Sequence, residues 1–318
     1  MTSTWVALMG AQVLVGGNRY PGRYVEAGTG EPLVLLHGQG GHIENFSRNI
    51  MPYAEHFHVF ALDCVWHGYG AQPPFDPELL PTYVDQVLDF LDWKGIDSAH
   101  LEGQSMGGWT AMRVAALYPA RVRKLILTTA QGFRLVPQPG EEPARSAPTA
   151  ESGRRQLTYL QDPSLENIRK RMSGLLANPN RMPDEMIEIR QKIYSNPVTN
   201  RSLEQVNRAY MGDPTLPSQR HVLTERELAQ IKAPTLVYWG DKNKTPPAMG
   251  RRLADSIPDA RFYCAADAGH WAQFEHADEH NREVLRFLTD DSTLQPVTVE
   301  PVAGRRSAIS VTARGPES

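Results

Sequence analysis

Short apolar runs alternate along the chain with segments whose apolar residues recur at helical spacing. Pro32–His37, His58–Asp63, Ala99–Gly103, Val122–Thr129, Pro234–Trp239 and Ala260–Cys264 are runs of this kind, several of them apolar on both faces. That is the pattern of strands buried in a parallel sheet covered by helices. Between them, Tyr83–Leu91, Met106–Leu117 and His280–Leu288 place apolar residues on one face of a helix. Such alternation predicts an α/β architecture around a mostly parallel central sheet flanked by helices. The apolar opening, Trp5 to Gly17, reads as a first strand. No Lys or Arg precedes it, as an export signal would require.

From about Gln131 to Arg226 the strand pattern stops. A stretch rich in Pro, Gly and Ser, Leu135–Gly153, leads into the helical segments Ser164–Leu176 and Pro183–Tyr194. The expected organisation is a core of residues 1–131 and 227–290, with 132–226 inserted as a helical cap. Residues 291–318 lack periodicity and have the composition of a disordered tail.

Composition narrows the function classes. Across 318 residues the net charge is −3, and the basic residues are scattered rather than striped. Charge therefore points neither to nucleic acid nor to an anionic membrane. No run approaches the ~18 apolar residues needed to cross a bilayer. Cys64 and Cys264 stand far apart in no C-x-x-C pattern, which disfavours a disulfide scaffold or zinc site and suits a reducing cytoplasm. A single bridge between them stays open as an alternative.

The chemistry concentrates in four loops. Gly103-Gln104-Ser105-Met106-Gly107 lies between a predicted strand and a predicted helix. The G-x-S-x-G pattern alone arises in about one random chain in ten of this length, so its context carries the weight. A nucleophile on a sharp strand-to-helix turn strains its backbone and needs small residues two before and two after it. The helix start then aims the Met106 N–H at an oxyanion forming beside Ser105. One strand–helix–strand–helix unit upstream, the glycine-rich His37-Gly38-Gln39-Gly40-Gly41 offers a second oxyanion donor, the N–H of Gln39 or Gly40. An ordinary turn explains that loop equally well until its place before the Ser105 turn is considered.

Ala268-Gly269-His270-Trp271 follows the last predicted strand, where the α/β-hydrolase fold carries its general base. A lone loop His is usually a surface residue; position singles His270 out among ten histidines. His276 and His280 lack an H-E-x-x-H arrangement and read as surface or structural. The acid position departs from expectation. Such enzymes commonly carry Trp-Gly-x-x-Asp after the preceding strand, whereas here Trp239-Gly240 leads to Asn243 in the acid slot. Asn can orient an imidazole but cannot stabilise imidazolium by charge. Asp241, two residues earlier, is the alternative if the turn is rearranged.

The stretch Gly269-His270-Trp271-Ala-Gln-Phe-Glu-His-Ala-Asp-Glu-His-Asn281 closely resembles the terminal motif of the meta-cleavage-product hydrolases. The likeness extends to Gly103–Gly108, Glu44–Asn49 and, more loosely, Glu188–Ile193. That resemblance implies cleavage of a C–C bond in a 2-hydroxy-6-oxo-dienoate from aromatic ring fission, with no metal or organic cofactor. It implies that Asn45 holds the dienoate end, Arg190 pairs its carboxylate, and Trp271 lines the pocket beside the base. Arg171 is a second candidate for the carboxylate, and Gln104 counts among the substrate contacts. Three departures stand out: Gln104 where the family often has Asn, Asn243 where it has Asp, and a shorter loop without proline after His37-Gly38. The expected partner is a small carboxylate with an aromatic or alkyl side group, and a homo-oligomer is allowed. An ester or lactone hydrolase with the same Ser105–His270 pair is the alternative, and a non-catalytic small-molecule binder the alternative from another class.

Overall fold

The computed structural model describes residues 3–136, 150–210 and 215–290. Strands β1 (Gln12–Gly16), β2 (Gly22–Ala27), β3 (Glu31–Leu36), β4 (Phe57–Leu62), β5 (Ala99–Gln104) and β6 (Val122–Thr128) belong to one sheet. So do β9 (Thr235–Gly240) and β10 (Ala260–Ala265), while β7 (Phe133–Arg134) and β8 (Leu223–Thr224) form a separate short pair. The order across the large sheet is β1-β2-β4-β3-β5-β6-β9-β10. Among the described strands only the β1–β2 and β2–β4 pairings are antiparallel.

The both-face burial expected of the central runs is visible in β3. Val34 and Leu36 join one apolar cluster with the helices Leu80–Lys94, Met106–Leu117 and Pro247–Asp255, while Leu33 and Leu35 join another with Ile50–Ala54 and Ala277–Thr289. Period-2 alternation of side chains thus feeds two cores from one strand.

The opening stretch departs from the expected strand. Ser3 caps a single helical turn, Thr4–Ala7, with its hydroxyl accepting the Val6 N–H at 3.2 Å, and strand structure begins only at Gln12. A serine cap offers the first turn a partner for its orphan N–H, which an extended strand would not use. The edge strand leaves Val13 and Val15 exposed. β2 was not singled out by its sequence pattern.

Between β6 and β9 the chain leaves the sheet, and its described residues build the helices Ala150–Gln161, Leu165–Ser173, Asp184–Tyr194 and Pro197–Ala209 before the short turn Glu225–Leu228 leads back to the sheet. Their apolar faces form a further cluster that also takes in Trp271 and Phe274 from the core. Phe133 pairs with Leu223 in the β7–β8 ribbon, which ties the departure of the insertion to its return. Most of the Leu135–Gly153 stretch, and the tail expected to be disordered, lie outside the described residues. Cys64 is buried and Cys264 exposed, both as free thiols. Among the described residues no helix is long and apolar enough to cross a membrane.

One buried polar group gives a stability prediction. Glu102 on β5 is fully enclosed, with His280 Nε2 at 3.5 Å from its carboxylate. The imidazole is already committed to hydroxyls, Tyr53 at 3.1 Å and Thr128 at 3.0 Å. Burial pushes Glu102 up to about 8 and His280 down to about 3, so both are held neutral. A carboxyl whose folded pKa is raised binds a proton that the unfolded chain releases, so its contribution falls as pH rises from about 4.5 to about 8. Glu102→Gln is expected to stabilise the protein at pH 8 by up to about 3 kcal/mol while changing little at pH 5. Melting temperatures across that range check it, and a variant equally destabilised at both ends would count against a neutral buried Glu102.

Candidate active site

Ser105 stands between β5 and the helix Met106–Leu117 with φ +56 and ψ −114. This is the strained turn anticipated from sequence, and its neighbours explain why glycine flanks it. A Cβ at Gly103 would collide with the backbone of Gly107, and one at Gly107 with the carbonyl of Leu36. The helix can therefore approach the sheet closely enough to lift the Ser105 side chain above the strand end. The peptide on either side is anchored. Ser105 N–H donates to Thr128 O at 3.1 Å, and Ser105 O accepts from Trp109 and Gln131 N–H, each at 3.1 Å. Met106, the first helical residue, has an N–H outside the intrahelical ladder and available to a developing oxyanion.

His270 lies on the loop after β10, beside the turn that carries Ser105. Its carbonyl accepts from the Gln104 side-chain amide at 3.1 Å and from Thr129 Oγ1 at 2.8 Å. Its backbone N–H donates to Leu175 O, in the insertion between β6 and β9, at 2.7 Å. The structure therefore joins Gln104, the residue before Ser105, to the His270 loop through a direct hydrogen bond. Gln104 is wholly buried and its amide reaches the His270 carbonyl, so it braces the loop that carries the imidazole.

At the acid slot, the Asn243 amide oxygen faces His270 Nδ1 at 3.0 Å. An amide oxygen only accepts, so Nδ1 carries the proton and Nε2 keeps a lone pair for the nucleophile's hydrogen. Asp241 does not provide the contact. Its carboxylate accepts the Ala268 N–H at 3.3 Å and pairs with Lys242 at 3.0 Å, bracing the loop. Although part of His270 remains accessible, its surroundings withhold solvation. Burial, with Lys244 and Arg171 nearby, pushes the imidazole down to about 4.

The predicted substrate residues also converge. Arg190 is fully buried, with Nη2 donating to Asn45 Oδ1 at 3.2 Å and Nη1 to the Tyr194 hydroxyl at 3.5 Å. The guanidinium lies 5.5 Å from the Trp271 ring and 5.5 Å from the Tyr194 ring. Among the described residues its Nε has no hydrogen-bond partner, nor has Asn45 Nδ2. Glu44, the neighbouring carboxylate, is engaged by Arg23 at 2.8 Å and His42 at 2.7 Å. A buried cation with donors to spare and no carboxylate in contact among the described residues is prepared for an anionic ligand. Arg171 points elsewhere, with Nη2 donating to Gln39 O at 3.2 Å.

Tyr194 escaped the sequence reading. It follows Arg190 by one helical turn, the i,i+4 spacing that puts both on one face, and this spacing was the available signal. Burial alone would raise its phenol; Arg171 and Arg190 outweigh that and hold it below the ordinary value.

The fold, the Ser105 turn and the His270 loop define a class, and comparison with known proteins agrees. A family profile described as "alpha/beta hydrolase fold" matches residues 31–277, and the chain belongs to that family. A 2-hydroxy-6-oxononadienedioate/2-hydroxy-6-oxononatrienedioate hydrolase from Paraburkholderia phymatum is 35% identical over 87% of this chain and 93% of its own. A 2-hydroxy-6-oxo-6-phenylhexa-2,4-dienoate hydrolase from Comamonas testosteroni is 33% identical over 83% of this chain and 90% of its own. Among solved structures, a 2-hydroxy-6-oxo-6-phenylhexa-2,4-dienoate hydrolase from a Rhodococcus strain superposes with a TM-score of 0.75. It covers 87% of this chain and 99% of that one at 22% identity, a likeness of fold.

Proposed function

We propose that the protein is a serine-dependent hydrolase that cleaves a C–C bond in 2-hydroxy-6-oxo-dienoates, the ring-fission products of aromatic compounds. The observation that carries this reading is Arg190, a buried guanidinium with no carboxylate in contact among the described residues, bonded to Asn45 and lying 5.5 Å from the ring of Trp271, the residue after His270. The names of the relatives support it: each acts on a 2-hydroxy-6-oxo acid.

In this reading Arg190 and Asn45 hold the substrate carboxylate, and Trp271 covers the cation beside the base. A proton delivered to carbon converts the dienol to a ketone, which later accepts the electron pair of the broken bond. Ser105, or a water it positions, attacks the remote carbonyl while His270 Nε2 takes the proton. Met106 N–H and the Gln39–Gly40 loop stabilise the oxyanion. Collapse of the tetrahedral species breaks the C–C bond and expels the carbon leaving group as an enol, with His270 returning the proton. Where water is the attacker the carboxylic acid leaves directly; where Ser105 is, a second water hydrolyses the acyl-serine ester to release the acid and restore the hydroxyl. Residues 132–226 act as the cap that encloses this chemistry, and the free thiols fit a reducing cytoplasm.

The reading is tested by mass spectrometry of products from a panel of ring-fission dienoates, with Ser105→Ala as control. Consumption of aryl esters with none of the dienoates would replace it by an ester or lactone hydrolase. No covalent labelling of the wild type by a serine-directed probe would favour a binder. Arg190→Gln is expected to raise KM for the dienoate by about thirtyfold or more, from loss of a desolvated charge pair, and to leave turnover of a neutral aryl ester within a few-fold. Equal losses on both substrates would remove Arg190 from the carboxylate site.

A further inference from the structure

The cap touches the glycine-rich loop through two polar side chains that no step above requires. Arg171, near the end of the helix Leu165–Ser173, donates Nη2 to the Gln39 carbonyl at 3.2 Å and Nε to the Tyr194 hydroxyl at 3.1 Å. Tyr194, the last residue of the helix Asp184–Tyr194, meets the Gly40 carbonyl at 3.2 Å. The direction of this last bond is forced. The other two neighbours of the phenol, Arg171 Nε and Arg190 Nη1, can only donate. The single hydroxyl hydrogen must go to Gly40.

The carbonyl of Gln39 and the N–H of Gly40 are two ends of one peptide unit. A guanidinium on the oxygen fixes the plane of that amide and polarises it, which strengthens the N–H at its far end as a donor. Gly40 adopts φ +66, and a Cβ there would strike the Tyr194 hydroxyl and sit 2.7 Å from Arg171 Nη2. Loop and cap are therefore fitted to each other at the residue whose N–H is a candidate oxyanion donor. A third, longer contact runs the same way: Gln39 Nε2 donates to Asn207 on the cap at 3.4 Å.

We propose that Arg171 and Tyr194 are positioning residues that set the oxyanion-binding loop, so that the oxyanion hole is complete only with the cap seated on the core. Arg171 is then no second carboxylate clamp, and Arg190 with Asn45 holds the anion alone. The coupling also gives substrate a route to its own activation, because ligand held between cap and core favours the arrangement in which the Gln39–Gly40 amide is held. The inference rests on Ser105 being the nucleophile.

The test uses Tyr194→Phe and Arg171→Gln in the full chain, assayed on p-nitrophenyl acetate, which has no carboxylate for either arginine to bind. The expected result is a kcat on this ester lower by about ten- to a hundredfold with KM within about twofold, the kinetic split of a weakened oxyanion hole. Labelling by a fluorophosphonate should slow in parallel, since it passes through the same geometry. Ester turnover and labelling both equal to wild type, with only the dienoate KM raised in Arg171→Gln, would overturn the inference and make Arg171 a carboxylate contact. Should Arg171→Gln fail to fold, Tyr194→Phe decides alone, because it deletes one hydroxyl and leaves the ring packing. Ser105→Ala runs alongside: if it turns the ester over at the wild-type rate, the nucleophile assignment itself has failed, a result distinct from normal Tyr194→Phe on a Ser105-dependent enzyme.

Discussion

Ser105→Ala is expected to lower turnover of dienoate and aryl ester alike by about ten-thousandfold or more, the scale seen when a nucleophile is removed from an otherwise intact site. Ser105→Gly should lose as much activity and yet melt higher. At φ +56 and ψ −114 a side-chain-bearing residue holds backbone strain, which costs of order 1–3 kcal/mol in such regions. Glycine relieves it but adds freedom to the unfolded chain, an offset of about 1 kcal/mol. The net gain is about 1 kcal/mol, or about 2–4 °C for a chain of this class. Ser105→Ala keeps the strain and should melt with the wild type. Steady-state kinetics and calorimetry on the three proteins check both halves. An alanine variant within tenfold of wild type would remove Ser105 from the chemistry.

The second large effect is expected at Asn243. The base must be neutral to take a proton, and His270 is held down at about 4 by burial with Lys244 and Arg171 nearby. The acid limb of the wild-type kcat/KM profile should therefore fall near pH 4, well below that of an enzyme with a carboxylate behind its base. Asn243→Asp places a negative charge on Nδ1–H and favours imidazolium. The limb should move upward by about 1–3 pH units, and the plateau above it should rise about ten- to a hundredfold through support of the charged base. Asn243→Leu removes the acceptor that fixes the tautomer, and its rate should drop by about a hundredfold or more at all pH values. A limb that stays in place in Asn243→Asp would mean that position 243 does not govern the imidazole.

The low pKa has a chemical corollary. An imidazole that resists protonation is a weak base, so in the proposed mechanism attack by Ser105 depends more heavily on the oxyanion donors. This makes the anchoring of the Gln39–Gly40 amide by Arg171 and Tyr194 more valuable here than in a site with an ionic third member.

Local chemistry was legible from the chain alone. The Ser105 turn, the His270 loop and the slot occupied by Asn243 are each specified within a few residues, because strand-to-helix turns, small neighbours and loop position are short-range properties. The central strands were equally plain, since burial on both faces leaves continuous apolar runs. The edge told a different story: a serine cap turned Thr4–Ala7 into a helix, and β2 shows no unbroken run. What only the tertiary structure decided is direction. Arg171 and Arg190 both lie on the inserted helices with the same charge pattern, yet one reaches a backbone carbonyl and the other the Asn45 side chain. Gln104 turned toward the His270 carbonyl, Asp241 toward the Ala268 N–H, and Tyr194 toward Gly40. Where a long polar side chain points depends on which partners the fold sets within a few ångströms, and those partners lie up to 166 positions away in the chain.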